Sequence, residues 1–305
     1  MTAHRFLDFE FAPVRLGDRE LLAPILRRHP QPLAGYTFAV LAAWNPFFHY
    51  GWSAAGPDTL LISCLTDPPG RRHLLQPLGA LDSSLKERIL AAAAALPYPL
   101  KILGVSERFL GEHADFTRAF TVREDRTVSN YIYSAEALAT LKGRKYAKKR
   151  NLISQAEGLY EWTASPLTPE RTDACFAVLE AIAGEEHPLV EGMLAREMAA
   201  LESTLHHFKA WEQRGVLVEA AGRPAAFSIY EAIGPRTAAI HFERALRSFK
   251  GLYQVINRET ARVIGDQGYE FINREEDLGD PGLRAAKRSY HPVEIVPAYE
   301  LTYRP

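Results

Sequence analysis

TAAIHFERALRSFKGLYQVINRETARVIGDQGYEFIN, Thr237–Asn273, contains a strand, a helix and a second strand in one continuous stretch. Thr237 to Arg244 (TAAIHFER) and Tyr269 to Asn273 (YEFIN) read as strands, and Gly251 to Asp266 between them reads as a helix after a polar loop. Upstream, Val216 to Ala220 and Ala225 to Ala232 are strand-like runs joined by the turn AGRP. Strands in succession followed by a helix and a returning strand predict an α/β (α+β) unit.

The N-terminal half repeats that order. Thr59 to Leu65 (TLLISCL) is a short apolar strand ended by the turn TDPPG, and His73 to Gln76 resumes a strand, which predicts a hairpin. Leu81 to Leu96 then reads as a helix, with Asp82, Ser83 and Ser84 available as N-cap and Pro97 closing it, before the strand Leu100 to Val105 (LKILGV). His241 follows His73 by 168 positions and Tyr269 follows Tyr98 by 171, so the two halves run nearly in register. Two copies of one α/β unit, each with a mixed and largely antiparallel sheet, are expected, covering residues 1–134 and 158–305. Between them, 135–157 is expected to form a connecting helix capped by Ser134.

Composition excludes several classes. The 305 residues are 47% hydrophobic and 24% charged, as in ordinary globular chains, so wholesale disorder is excluded. The absence of heptads and short repeats excludes coiled coils and solenoids. A net charge of -1 excludes a polyanion binder of the histone kind, though not a local basic patch. Cys64 and Cys175 are too few for a disulfide framework and form no CxxC, which points to a reducing compartment. The longest clean apolar run, Ile89 to Leu96, is far short of the ~20 residues that cross a bilayer, and the N-terminus shows no apolar signal core. These features predict a cytoplasmic protein without an integral membrane segment.

Familiar sites are missing: there is no GxGxxG, GxxxxGK[ST] or HExxH, and GWSAA (Gly51–Ala55) lacks the second glycine of a nucleophile elbow. The histidines are scattered, and no metal site is expected. Three stretches carry dense polar chemistry. KGRKYAKKR, Lys142 to Arg150, has six basic residues in nine. On a helix Arg144 and Lys148, like Lys145 and Lys149, would form adjacent basic rows, either a solvated face or a surface that meets phosphates. In INREEDLGDPGLRAAKRSYHP, Ile272–Pro292, acids follow a strand and a short helix carries Arg284, Lys287 and Arg288 on one face. That pattern makes either an internal ion-pair network or a polar reaction pocket. In HFERALRSFKGLYQVIN, Arg247 and Lys250 precede Gly251 at a helix start, an arrangement suited to an anion and equally to an ordinary β-to-α turn.

HFERA…GLYQVIN and YEFINREEDLGDPGLRAAKRSYHP, with LKGRKYAKKRNLI and the earlier LGDRELLAPILRRHPQPLAGYTFAVLAAW, resemble the DUF2156 family, phosphatidylglycerol lysyltransferase C-terminal domain-like proteins, over nearly the whole chain. The resemblance implies two tandem acetyltransferase-like (GNAT) domains, the C-terminal one carrying the active site. It also implies transfer of an activated acyl or aminoacyl group, from aminoacyl-tRNA in relatives of known activity, to an amine or hydroxyl. The acceptor could be a small molecule, a peptide or a lipid headgroup. The chain departs from the family's pattern at Arg244, Ala147 and Asn130, where Lys, His and Asp are common. The acetyl-CoA loop of ordinary GNAT enzymes survives only as Arg247–Tyr253, with one residue too many and no second glycine.

On this reading Glu243 or Asp277 is the base, Arg284 or Lys287 the cation at the oxyanion, and Tyr290 positions substrate or donates a proton. Arg247, Lys250, Gly251, Tyr253 and Asn257 would hold the donor, whether aminoacyl-tRNA or acyl-CoA. Asn273, Arg274, Glu275 and Ser289 would contact substrate, and Lys145, Lys148, Lys149 and Arg150 would contact tRNA. The competing readings are an acetyl-CoA-dependent N-acetyltransferase and a noncatalytic tRNA- or ligand-binding module on the same fold.

Overall fold

The computed structural model describes residues 2–66, 70–185 and 192–304. Asp67, Pro68 and Pro69 of the expected TDPPG turn lie outside them. Strands β1 (His4–Phe6), β2 (Phe9–Pro13), β3 (Gly51–Gly56), β4 (Thr59–Leu65), β5 (Arg72–Leu75), β6 (Lys101–Val105) and β7 (Phe120–Glu124) belong to a first compact unit. Strands β8 (Asn130–Ser134), β9 (Trp162–Pro166), β10 (Arg214–Ala220), β11 (Arg223–Ala232), β12 (Thr237–Ala245), β13 (Phe271–Asn273) and β14 (Glu294–Val296) build the sheet of a second. The last strand, β15 (Tyr299–Tyr303), returns to the first sheet between β6 and β7. The units are therefore Met1–Asn130 with Val296–Pro305, and Tyr131–Ile295.

The sheet orders are β1-β2-β3-β4-β5-β6-β15-β7 and β14-β8-β13-β12-β11-β10-β9. In the first, β4 and β5 are antiparallel, and β5 continues through helix α1 (Ser83–Ala94) into the parallel strand β6. In the second, β11 and β12 are antiparallel, and β12 continues through helix α2 (Leu252–Asp266) into the parallel strand β13. The repeat anticipated from residue offsets is thus one topology used twice. Its helix starts follow local chemistry: Asp82 accepts from the Leu85 amide at 2.8 Å, satisfying a donor that the helix leaves unpaired. On α2, Leu252, Val255, Ile256, Ala261 and Ile264 are buried at three- to four-residue spacing, in the core that also takes Val216, Val218 and Tyr230 from the sheet. Each of the leucine, valine and isoleucine side chains contributes about 1.5–3 kcal/mol by leaving water.

The segment 135–157 is not one helix. Ser134 caps a short helix α3 (Ala135–Thr140) as expected, its hydroxyl accepting from the Ala137 amide at 3.2 Å. The chain then turns left-handed at Leu141 (φ 48°) and Gly143 (φ 94°). A single 3-10 turn, Arg144–Tyr146, precedes helix α4 (Ala147–Leu159). A continuous helix would have stacked six cations in repelling rows. The break sets Lys142 apart from the cations of Arg144–Arg150, and the Arg150 guanidinium donates to the carbonyls of Leu141 and Gly143.

Candidate functional site

In the second unit β12 stays paired with β11 as far as Ala245, but meets β13 only through Thr237, Ala238 and Ala239. Beyond that point the two parallel strands part, and Arg274–Asp277 run beside His241–Ala245. Such splitting at the carboxyl ends of parallel strands is where α/β sheets place ligands. At the split Ile229 faces Phe242 while Tyr230 faces Ile240, leaving His241 without a register partner. It is a β-bulge, which re-aims a side chain at the cost of one unpaired position.

His241, 4% exposed, lies between two carboxylates: Glu275 at 2.6 Å from Nδ1 and Glu231 at 2.9 Å from Nε2. With a carboxylate on each nitrogen the ring is an imidazolium rather than a metal ligand. Burial alone would lower its pKa, but Glu275 and Glu231 outweigh burial and push it up to about 10. The raised value means that its stabilisation is complete below pH 6.5 and is lost as pH rises through about 10. His241→Ala is expected to cost about 3–5 kcal/mol near neutral pH by stranding two carboxylates. Urea melts at pH 6.5 and pH 10 check this: the gap between wild type and variant should narrow at the higher pH.

Glu243, two residues further along β12, accepts from the Arg274 guanidinium at 2.9 Å and from the Asn257 side-chain amide at 3.3 Å. Arg274 is clasped by aromatic faces, with Tyr290 and Tyr133 centroids 5.2 and 5.8 Å from its Cζ. Lys149 of α4 points to the same place: its ammonium is 4.0 Å from the Tyr290 ring centre and 2.7 Å from the Ser289 hydroxyl. Burial and the charge of Arg274 lower its pKa. The Tyr290 hydroxyl bonds the Gln254 side chain, and burial pushes its pKa up to about 12, so the phenol stays protonated. Glu243, Asn257, Arg274, Tyr290 and Lys149 are thus linked through Arg274 and the Tyr290 ring: a carboxylate, an amide, two cations and a phenol.

The remaining candidates separate from this group. Asp277, fully buried, takes both arms of Arg284 at 2.7 and 2.9 Å, the Tyr131 hydroxyl at 2.6 Å and the Gly279 amide at 2.9 Å. Arg284 above all, with Tyr131 and that amide, holds its carboxyl well below the usual range against the effect of burial. Such a locked carboxylate is no base, and Asp277 and Arg284 form the structural ion pair that the spacing also allowed. Lys287 is buried and donates to the Arg274 carbonyl; burial and Arg274 push its pKa down, whereas burial and Glu275 push Glu276 up. Arg288 lies on the same helix, Pro281–Arg288, as Arg284 and Lys287, and is exposed. Asn273 accepts from the Glu275 amide at 2.7 Å, fixing a residue with φ 57°.

Gly251 has φ 84°, and a Cβ there would run into the Leu152 carbonyl of α4, with its carbonyl carbon at 3.0 Å and the Ala156 Cβ at 3.2 Å. The glycine admits a neighbouring helix rather than a ligand, which corrects the reason expected for it. The Arg247 and Ser248 amides donate to Glu185, the Lys250 carbonyl accepts from Tyr160 at 2.9 Å, and Tyr253 is exposed. Lys145 and Lys148 face solvent. Sequence reading overlooked His241 and Glu231 because their meeting depends on the bulge. A histidine inside an apolar strand, two residues before a glutamate, was the available signal.

The family described as phosphatidylglycerol lysyltransferase, C-terminal, matches residues 27–302. The chain belongs to this family. Among solved structures, the phosphatidylglycerol lysyltransferase C-terminal fold here is similar to a conserved protein of Bacteroides thetaiotaomicron at 30% identity and TM-score 0.86, over 96% of this chain and 99% of that one. L-PGS from Bacillus licheniformis aligns at 17% identity and TM-score 0.63, over 94% of this chain and 92% of that one. A tandem GNAT protein from the clavulanic acid biosynthesis pathway aligns at 12% identity and TM-score 0.50, over 97% and 99%. No curated protein matches the sequence. Both units of this family member therefore carry the GNAT-like fold of an aminoacyl transferase-like family. No helix among the described residues is long and apolar enough to cross a membrane.

Proposed function

We propose that the second unit transfers an aminoacyl group from aminoacyl-tRNA to an amine or hydroxyl acceptor at the split between β12 and β13. The observation that carries this reading is the convergence of Arg274 and Lys149 on the Tyr290 ring opposite the Glu243 carboxylate. Two cations held by aromatic faces could receive the charge that gathers on an ester carbonyl oxygen under attack, and fixed charges need no reorganisation as that charge develops. Glu243 takes the proton from the nucleophile as its heteroatom bonds the carbonyl carbon. The ester C–O bond then breaks, and the proton returns to the departing ribose oxygen. The family's lysyl transferase description supports an aminoacyl donor. The acceptor class is an amine or hydroxyl of a small molecule, peptide or lipid headgroup. Charged tRNA as donor places the reaction in the cytoplasm.

Transfer of labelled amino acid from a mixed pool of charged tRNA to added amines tests the reading, and inertness toward every donor would leave a binding module. The solvent-facing lysines supply a second check. Lys145→Ala with Lys148→Ala is expected to weaken tRNA binding whatever its sequence and to flatten the slope of log affinity against log salt by about 1–2. Filter binding at several salt concentrations measures it. An unchanged slope removes these lysines from the tRNA surface, and no salt-sensitive tRNA affinity in the wild type removes the donor.

A further inference from the structure

The turn between β12 and α2 already holds an anion, and the chain supplies it. The amides of Arg247 and Ser248 donate to the two carboxylate oxygens of Glu185 at 2.8 and 3.1 Å. The Ser248 hydroxyl bonds the same carboxylate, and the Arg223 guanidinium adds its charge. Arg223 is in turn placed by the Phe249 ring, whose centre is 5.2 Å from its Cζ. Burial would raise the Glu185 carboxyl, yet the hydroxyl and the amides outweigh it and hold it below the usual range. Two successive amides, a hydroxyl and a guanidinium just ahead of a helix start form the donor set that a phosphate group takes.

We infer that Glu185 is a tethered competitor that keeps this turn closed to phosphate-bearing ligands, pyrophosphate-linked thioesters included. Glu185 is the last described residue of helix α5 (Thr172–Glu185), which brings its carboxylate to the turn. A tethered group competes at an effective concentration of roughly millimolar or above, which micromolar ligands do not overcome. Its charge also repels an incoming phosphate. Glu185 therefore acts as a specificity determinant against acyl-CoA. Arg247 and Lys250 flank the turn, but the Arg247 and Ser248 amides are engaged by Glu185.

Calorimetric titration of the full chain with inorganic pyrophosphate, and separately with CoA, tests this. The wild type is expected to give no binding heat at micromolar concentrations of either. Glu185→Ala should gain about tenfold or more in pyrophosphate affinity, falling as salt rises. Adding Arg223→Ala to that variant should remove most of the gain. The inference is overturned if wild type binds CoA as tightly as Glu185→Ala does, or if Glu185→Ala, with unchanged circular dichroism, gains no pyrophosphate affinity. Glu185→Gln, which keeps the side-chain length, should show a smaller gain of the same sign and serves if the alanine variant misfolds. Neither ligand carries an aminoacyl group, so the outcome is independent of whether the β12–β13 split transfers one.

Discussion

Replacing Gly251 by Val should lower the stability of the second unit by about 3 kcal/mol or more. Two costs add. The residue sits at φ 84°, a conformation that β-branched side chains hardly adopt, and its new Cβ would press into the Leu152 backbone. Backbone of α4 cannot swing aside as a flexible side chain would, so α4 and α2 must separate and expose apolar surface that now packs between them. Gly251→Ala should fall between wild type and Gly251→Val, since it shares the strain and the clash without the branching. Urea melts followed by far-ultraviolet circular dichroism give the midpoints. A Gly251→Val midpoint equal to that of wild type would mean that the two helices do not meet as closely as described.

Glu243→Gln should lower the transfer rate by about 10²–10⁴-fold while leaving the fold intact, if the carboxylate is the proton acceptor proposed above. The amide keeps an oxygen for the Arg274 guanidinium and the same volume between Asn257 and Arg274, so little packing is lost. Asp277→Asn is the contrasting variant: each substitution weakens a buried ion pair and lowers the melting temperature, but only Glu243→Gln should slow transfer beyond that loss. Single-turnover rates and thermal melts on the two variants separate the roles. A Glu243→Gln enzyme as fast as wild type would exclude Glu243 as the base.

The elements legible in the sequence were those whose cause is local. TLLISCL became β4 with the bounds read from its apolar run, and TAAIHFER became β12 short of one alanine. Asp82 and Ser134 announced helix starts because a cap is a side chain two or three residues from the amide it serves. The basic stretch misled because the cap at Ser134 was read as opening one continuous helix, whereas Leu141 and Gly143 break it with left-handed dihedrals. Glu243, Arg274 and Tyr290 were named within the motifs that carry the family resemblance, and they do converge. What sequence could not show was the assortment of charges among partners. Lys149 turns inward while Lys145 and Lys148 stay outside, Asp277 is taken by Arg284, and His241 is captured by a bulge. Lys149 meets Ser289 and His241 meets Glu275 across long stretches of chain, and even the Asp277–Arg284 pair, seven residues apart, depends on how the turn between them folds.

The place of β15 has a consequence for biosynthesis. It lies inside the first sheet, flanked by β6 and β7, yet it is translated after the whole of the second unit. While the ribosome is still making residues 131–295, the first unit therefore has two open strand edges and a missing Leu301 in its core. Unsatisfied edges of that kind invite pairing with other chains. The second unit, contiguous in sequence, can reach its native state before β15 is made, and the first has to wait for β15. Nascent chains stalled before Val296 should accordingly show a protease-resistant second unit behind a protease-sensitive N-terminal one.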